Sequence, residues 1–311
     1  MNERGLVAEL GQFALLRVEG ADATQFLQNL FTNDVREVTA ARSSLGALCT
    51  PNGRVIACAR FVGLPGPAYL LRLPRELAAA VHEKLRGLVF RAKVALAIDD
   101  ATSLLGVAGD APGQALSALL PTLPESPGET AHAEGLAVVR VPGARPRFEL
   151  YGERARIDAL AAELRDGGAA GGGAAEWEAD EIEAGLPEVY AANREAFLPQ
   201  MLNLDLLGGL SFKKGCFPGQ EVVARTQHLG EVKRRTYRAR LDAPPPGPGT
   251  ALRAVRAAGE RDGGRVLRSA PDGRGGASLL AVIPVEIVEA GEPVHVAGGA
   301  GPRLALDSAR P

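Results

Sequence analysis

An unpaired cysteine, Cys216, lies in the stretch of this 311-residue chain with the most residue types able to do chemistry. Lys213, Lys214 and Gly215 precede it directly. The dipeptide Pro218-Gly219 follows it, and Pro-Gly favours a tight bend because proline fixes φ and glycine tolerates positive φ. The sequence therefore predicts that the Cys216 thiol lies on a loop.

The residues after this loop have the pattern of a short helix. It begins at Gln220, carries Glu221 and Arg225 at i,i+4, and ends at Gly230. A thiol just before a helix N-terminus and beside lysines favours the thiolate, which is the nucleophilic and metal-binding form of cysteine. From composition alone, a buried and inert Cys216 in a glycine turn is an equally good interpretation, because free cysteines are among the most buried residues.

The order of residues in this stretch resembles a known sequence signature. Lys214 to Glu221, followed by Arg225, is similar to K-G-C-[FY]-x-G-Q-E-x-x-x-R of the folate-binding YgfZ family, which is related to the glycine-cleavage aminomethyltransferase, the T-protein. Many fixed residue types at fixed spacing make this match specific. Further segments resemble the same family, namely residues 20–35, 183–187, 199–204 and 207–212.

The resemblance implies an α+β fold in which mixed-sheet subdomains form a T-protein-like ring around a folate channel. The proline-rich segment 243–249 marks a domain boundary, and short strand patterns separated by glycine turns follow it. Such a pattern favours a small C-terminal β-barrel. We predict a folate-binding module over residues 1–242, with interleaved subdomains of about 1–50 with 130–242 and about 51–129, and a β-barrel domain over 243–311.

Composition excludes several classes of protein. Hydrophobic residues make up 46% of the chain and charged residues 23%, and the net charge of -2 gives no global attraction to nucleic acid or anionic membrane. Cys49, Cys58 and Cys216, with four scattered histidines, do not form a metal-ligand spacing, so we predict no metal site and a reducing compartment. The start lacks a signal-peptide pattern, and no apolar run approaches the roughly 18 residues that span a bilayer. We expect a cytoplasmic monomer.

A folate ligand requires a flat partner for its pterin and hydrogen-bonding groups around it. The resemblance places aromatic folate contacts at Phe13 and at Trp177, the single tryptophan. For each of them, packing in the core is the alternative. Glu183, Gln200 and Asn203 lie in matched segments and are candidates for hydrogen bonds to the pterin, although Asn203 is equally suited to cap a turn.

The segment from residue 213 to residue 240 is basic, with eight lysines and arginines against two glutamates. A solvated strand face is the common explanation for such a run. The alternative is that part of it, including Lys214 and Arg225, faces the glutamate tail of folate or an acidic partner. Direct RNA binding fits less well, because few aromatic residues such as Tyr237 interleave these charges.

The expected function rests on the family resemblance and on one position where this sequence departs from the T-protein pattern. T-proteins carry an aspartate on the strand after a glycine-containing turn, whereas Ala57 and Cys58 occupy that place here. The resemblance then implies a tetrahydrofolate-binding accessory protein for iron-sulfur cluster assembly or repair in client enzymes, including enzymes of tRNA modification. Cys216 is its essential thiol, with Lys214 beside it. Two alternatives stay open: an aminomethyltransferase-type one-carbon transfer enzyme, and a folate-sensing binding module.

Overall fold

The computed structural model describes residues 5–228, 230–257 and 259–307, and it confirms the α+β class. The strands in chain order are β1 (Leu6–Glu9), β2 (Phe13–Glu19), β3 (Ser44–Cys49), β4 (Val55–Leu64), β5 (Ala68–Pro74), β6 (Ala95–Ile98), β7 (Thr102–Ala108), β8 (Thr130–Ala133), β9 (Leu136–Arg140), β10 (Arg147–Glu153), β11 (Ala170–Gly171), β12 (Arg234–Leu241), β13 (Ala251–Arg256), β14 (Gly259–Pro271), β15 (Ala277–Pro284), β16 (Val294–Val296) and β17 (Leu304–Leu306).

The α-helices are α1 (Ala23–Gln28), α2 (Arg75–Arg86), α3 (Asp110–Leu119), α4 (Arg154–Asp166), α5 (Ala174–Glu183), α6 (Gln220–His228) and α7 (Val285–Glu289). Short 3-10 helices occupy Val35–Glu37, Ala191–Asn193 and Pro199–Leu202. No helix among the residues described is long and apolar enough to cross a lipid bilayer.

Three sheets organise the chain. The first sheet has the strand order β3-β4-β5-β2-β6, and the second has the order β11-β1-β7-β10-β9-β8. The third, or C-terminal, sheet has the order β16-β13-β14-β15-β12-β17. A bridge between His295 and Arg303 brings its two ends together, so this sheet is a nearly closed barrel, as the sequence predicts. Its strand β12 precedes the proline-rich segment 243–249. The division into domains stays a prediction.

The first sheet is central because β4 is buried on both of its faces. Phe61 packs with residues of α1 and α2 on one side. Cys58 and Val62 pack on the other side, where they meet apolar residues of the C-terminal sheet and of the second sheet respectively. The sequence of a strand that is covered on both faces is a continuous apolar run. Any charged residue in it needs an ion-pair or hydrogen-bond partner inside the protein.

Local sequence patterns account for several of these elements. The Pro51-Asn52-Gly53 turn joins β3 to β4, and Gly53 has φ +72°, which Asn-Gly turns require. Asp22, the N-cap residue of α1, makes no side-chain cap hydrogen bond, because its carboxylate accepts from the Lys93 N–H instead (2.7 Å). Strand β15 ends at Pro284, where proline's fixed φ and missing N–H suit the start of α7.

Candidate functional site

A cavity of about 760 Å³ opens beside the matched stretch. Its wall is built from segments far apart in the chain: Asn33 and Asp34 after α1, residues 41–45 leading into β3, residues 126–129 before β8, and residues 207–213. Arg60 of β4 also lines it and is itself only 3% exposed. The cavity therefore connects the surface near Lys213 with a charged residue of the interior.

Behind Arg60 lies a set of buried charges that we call the ionic cluster, made of Arg60, Arg72, Glu149, Glu181, Glu188 and Arg268. Arg60 and Arg72 lie directly opposite each other on β4 and β5. Two like charges at such a position repel each other. Glu149 of β10 lies between them, with its Oε2 3.2 Å from Arg60 Nε and its Oε1 3.6 Å from Arg72 Nε. The first and second sheets are thus joined through one carboxylate.

The cluster continues to the C-terminal sheet through α5. Arg72 Nη2 lies 3.4 Å from Glu181 Oε1 and 3.6 Å from Glu188 Oε2. The other oxygen of Glu181 accepts a hydrogen bond from Arg268 Nη2 of β14 (2.8 Å). A single buried network therefore links all three sheets.

The two carboxyl groups beside Arg72 Nη2 titrate differently. Burial alone would raise the pKa of Glu181, but Arg72 and Arg268 outweigh it and lower that pKa to about 2. Burial raises the pKa of Glu188 to about 8 in spite of the same arginines. Glu181 is therefore ionised at neutral pH, whereas Glu188 carries a proton and can donate a hydrogen bond.

Several buried atoms of the cluster have no hydrogen-bond partner among the described residues. The donors are Nε and Nη2 of Arg60 and Nε and Nη1 of Arg72, and the acceptors are the Oε1 atoms of Glu149, Glu181 and Glu188. Unsatisfied polar atoms are rare in protein interiors and are normally bonded by water or ligand. The cluster therefore keeps both donors and acceptors that water or a ligand can satisfy.

Phe13 and Trp177 each lie against a buried arginine, Arg72 of the ionic cluster and Arg147 outside it. The Arg72 guanidinium carbon is 3.8 Å from the centre of the Phe13 ring, and that of Arg147 is 4.2 Å from the Trp177 ring. Both aromatic residues are buried in one apolar cluster, and Trp177 is 0% exposed. Its Nε1 has no hydrogen-bond partner within the described ranges. The two rings therefore flank the buried charges and are not part of the cavity wall.

Residues 214–220, the motif loop, present Cys216 and bury Lys214. Cys216 is exposed, whereas Lys214 is buried and its Nζ donates to the carbonyl oxygens of Phe31 and of Asn33, the latter at 2.9 Å. Burial lowers the pKa of Lys214 to about 8, although Asp34 acts in the opposite direction. The ammonium group thus anchors the motif loop to the segment that forms one wall of the cavity.

The second anchor of the motif loop is a contact between two glycines. Gly219 has φ +82°, and a Cβ atom on it would lie 2.4 Å from the Cα of Gly53. The β3–β4 turn and the motif loop therefore touch backbone to backbone, which only glycine at position 219 allows. By contrast, a Cβ on Gly215 would meet nothing within 4 Å.

Gln200 and Asn203 lie away from the cavity and fasten neighbouring elements. The Gln200 amide donates to the Val223 carbonyl of α6 (2.7 Å). Asn203 has φ +58° and donates to the Thr236 carbonyl of β12 (2.9 Å). Both side chains are buried, and together they hold the 3-10 helix Pro199–Leu202 between α6 and β12.

Glu183 and Arg225 are the remaining predicted binding residues, and they lie apart from the cavity wall. Glu183 is partly exposed and accepts a hydrogen bond from the Ser278 hydroxyl of the C-terminal sheet (3.1 Å). Arg225 is exposed on α6 and pairs with Glu221 at 2.8 Å, the i,i+4 pair that the sequence predicts. The structure thus brings Phe13 and Trp177 against buried arginines and sets the other predicted site residues around the motif loop and the C-terminal sheet.

The ionic cluster itself was missed by the sequence interpretation. Its members are far apart in the chain, and no local motif joins them. A usable signal was nevertheless present, because Arg60, Arg72 and Glu149 are charged residues inside otherwise apolar strand segments. In the described ranges, no group of three or more His, Cys, Asp or Glu residues is arranged to hold a metal ion.

Comparisons with known proteins find relatives by sequence and by structure. No family model matches the chain. The tRNA-modifying protein YgfZ of Hamiltonella defensa is 35% identical over 230 residues, which cover 73% of this chain and 68% of that protein. The tRNA-modifying protein YgfZ of Sodalis glossinidius is also 35% identical over 230 residues, or 73% of this chain and 69% of that protein.

A solved structure extends the comparison to almost the whole fold. The aminomethyltransferase T of the glycine cleavage system from Bartonella henselae superposes with a TM-score of 0.79, covering 97% of this chain and 84% of that one. The sequences are 18% identical, so this likeness concerns the fold. The predicted T-protein-like architecture is therefore confirmed.

Proposed function

The chain belongs to the YgfZ family, and from that premise we propose that it is a tetrahydrofolate-binding accessory protein for iron-sulfur cluster assembly or repair. Its clients in this proposal include enzymes of tRNA modification, in keeping with the description that both relatives carry. It acts in the cytoplasm as a monomer, and its partners are folate and the client enzymes or their assembly proteins. It makes no direct contact with nucleic acid.

The observation that carries the proposal is the cavity backed by unsatisfied buried polar atoms. Its volume of about 760 Å³ is within the usual range for small-molecule sites, about 300–1,000 Å³. A pterin has donors and acceptors along one edge, and Arg60, which lines the cavity, presents an Nη2 donor without a hydrogen-bond partner among the described residues. The residues present therefore fit a folate, with Arg60 toward the pterin. Bound tetrahydrofolate supplies a reduced ring that can carry a one-carbon unit.

The cavity wall also offers charges for the other end of the ligand. Arg42 and Lys213 are exposed on it. Cations of this kind attract the carboxylates of a glutamate tail. In this arrangement the pterin lies inward and the tail lies near the motif loop.

The motif loop supplies the second half of the function. Lys214 and Gly219 fix it against the cavity wall and the β3–β4 turn, and the exposed Cys216 follows three residues after Lys213, which lines the cavity. A client protein can reach this thiol from solvent while folate occupies the cavity. We propose that Cys216 is the group through which the protein acts on its client.

The two alternative functions, aminomethyl transfer and folate sensing, require different residues. Aminomethyl transfer calls for a carboxylate on β4, where the chain has the buried Ala57 and Cys58. We propose that this activity is absent. A purely folate-sensing module would not depend on Cys216, so loss of function in a Cys216→Ser variant separates that alternative from our proposal.

Isothermal titration calorimetry with tetrahydrofolate tests the binding site. Leu207 lines the cavity, whereas its neighbour Leu206 is 53% exposed and does not line it. We expect the parent protein and Leu206→Trp to bind equally well, and Leu207→Trp to bind at least about tenfold more weakly because its indole fills the cavity. Equal affinity of all three proteins would refute this placement of folate.

A further inference from the structure

Residues 31–33 lie shortly after α1 and connect β3 with the stretch that leads into the motif loop. Thr32, at their centre, is completely buried. Its main-chain N–H donates to the carbonyl oxygen of Ala47 in β3 (3.0 Å). Its carbonyl oxygen accepts a hydrogen bond from the N–H of Ser211 (2.9 Å). The main chain of Thr32 therefore joins two segments that are far apart in the sequence.

The Thr32 hydroxyl makes the same connection a second time. It donates to the carbonyl oxygen of Gly209 (2.6 Å) and accepts from the N–H of Ala47 (2.9 Å). A hydroxyl can donate and accept at once, which an apolar side chain of the same size cannot do. Both main-chain polar groups of Ala47 are thus bonded to Thr32.

The stretch that Thr32 holds is one wall of the cavity. Every residue from 207 to 213 except Gly209 lines the cavity, whereas Gly209 and Thr32 do not. The residues on either side of Thr32 both accept hydrogen bonds from Lys214 Nζ through their carbonyl oxygens. One buried segment therefore supports the cavity wall at its centre and the motif loop at its two ends.

We propose that Thr32 is a positioning residue of the folate site. Its hydroxyl keeps the wall of residues 207–213 at a fixed distance from β3, and this distance sets the width of the cavity. Thr32 does not contact the ligand, because it does not line the cavity. The inference rests on the proposed folate site and adds to it a buried residue that determines the shape of the site.

Two substitutions separate the hydroxyl from the size of the side chain. Thr32→Val keeps a branched side chain of similar size but loses both side-chain hydrogen bonds, those with Gly209 and Ala47. A buried polar group that loses its partner is less stable than one in contact with water, so we expect the wall to move until these groups reach water. Thr32→Ser keeps the hydroxyl and should keep the wall in place.

The chain offers a matched control in β12. Thr236 is also completely buried, and its hydroxyl donates to the carbonyl oxygen of Met201 (2.8 Å). Neither of these two residues lines the cavity. Thr236→Val therefore removes a buried hydroxyl with a main-chain partner, as Thr32→Val does, but leaves the cavity wall untouched.

Isothermal titration calorimetry of the full chain with tetrahydrofolate gives the first readout. We expect Thr32→Val to bind about tenfold more weakly than the parent, which corresponds to the loss of about one hydrogen bond. Thr32→Ser and Thr236→Val should bind as the parent does. Urea unfolding should show that both valine variants are less stable than the parent, so stability alone does not explain the weaker binding. Parent-like affinity of Thr32→Val, equal weakening by Thr236→Val, or equal weakening by Thr32→Ser would overturn the proposal.

Amide hydrogen exchange of peptides that cover residues 207–214, measured by mass spectrometry without folate, gives the second readout. Exchange should be faster in Thr32→Val than in the parent and in Thr236→Val. This measurement separates the inference from the proposed function. A parent that does not bind tetrahydrofolate would refute the proposed function, whereas positioning of the wall by Thr32 stands if exchange is faster in Thr32→Val and falls if it is unchanged. A parent that binds, with parent-like affinity in Thr32→Val, would overturn the role of Thr32 alone.

Discussion

The ionic cluster and the motif loop are both rich in charge, yet they are built in opposite ways. The cluster takes its members from β4, β5, β10, α5, the segment after α5 and β14, and each of them is at most 3% exposed. The motif loop takes its residues from one continuous stretch and leaves Cys216 exposed. A buried network has to be assembled by the whole fold, whereas a loop needs only local anchors. The comparison teaches that the buried charges bind the three sheets together beside the cavity, whereas the loop presents a thiol to solvent.

The largest effect should come from breaking the cluster at Arg72. This residue contacts Glu149, Glu181 and Glu188, so Arg72→Met leaves buried carboxylates without their shared cation. We expect urea unfolding to show a loss of about 3–5 kcal/mol in the free energy of unfolding. Arg86→Met, which removes an exposed arginine paired with Glu83, is the control and should leave the midpoint unchanged. A loss under about 1 kcal/mol for Arg72→Met would mean that the cluster does not stabilise the fold.

A smaller effect is expected at the anchor of the motif loop. Gly219→Ala places a Cβ against Gly53 and requires alanine to adopt positive φ, which costs about 1–3 kcal/mol. Gly215→Ala, four residues earlier in the same loop, meets open space and should have no such cost. The measurement is the free energy of unfolding of both variants. If they are equally stable, the contact with the β3–β4 turn is not what shapes the loop.

The buried Lys214 gives the loop a pH dependence of its own. Its pKa falls from 10.5 in the unfolded chain to about 8 in the folded protein, chiefly through burial. Between these values the unfolded state binds the extra proton, so this residue makes the free energy of unfolding increase with pH. The parent should therefore gain stability relative to Lys214→Met as pH rises from about 8 to 10.5. The buried Cys49 and Cys58 also titrate at high pH, but both proteins contain them and their contributions cancel. A constant difference across this range would contradict the burial of the ammonium group.

The smallest perturbation is chemical labelling of the cysteines, which distinguishes an exposed loop from buried strands. Burial raises the pKa of Cys49 to about 12 and that of Cys58 well above its ordinary value. At mildly acidic pH, iodoacetamide should therefore modify Cys216 first, as mass spectrometry of peptides can show. Modification of Cys49 or Cys58 at an equal rate would contradict the contrast between the loop and the strands.

The two regions also differ in what the sequence reveals. The motif loop is local, so Lys214, Cys216 and the Gly53 turn were found from consecutive residues. The direction of the Lys214 side chain was not, because its carbonyl partners at Phe31 and Asn33 come from a distant segment. The ionic cluster needs strand pairing such as Arg60 opposite Arg72, and no pattern within one strand specifies its neighbour. Trp177 was predicted as a ligand contact, and its complete burial beneath Arg147 follows only from the packing of α5.

The central claim is that a folate-binding protein acts on iron-sulfur enzymes through Cys216. The direct measurement is the activity of an iron-sulfur enzyme in cells that lack the native protein and carry one variant of this chain. The parent and Cys49→Ser should restore that activity, whereas Cys216→Ser, produced at the same level, should not. Full restoration by Cys216→Ser would contradict the account and leave the exposed thiol without a role in the proposed function.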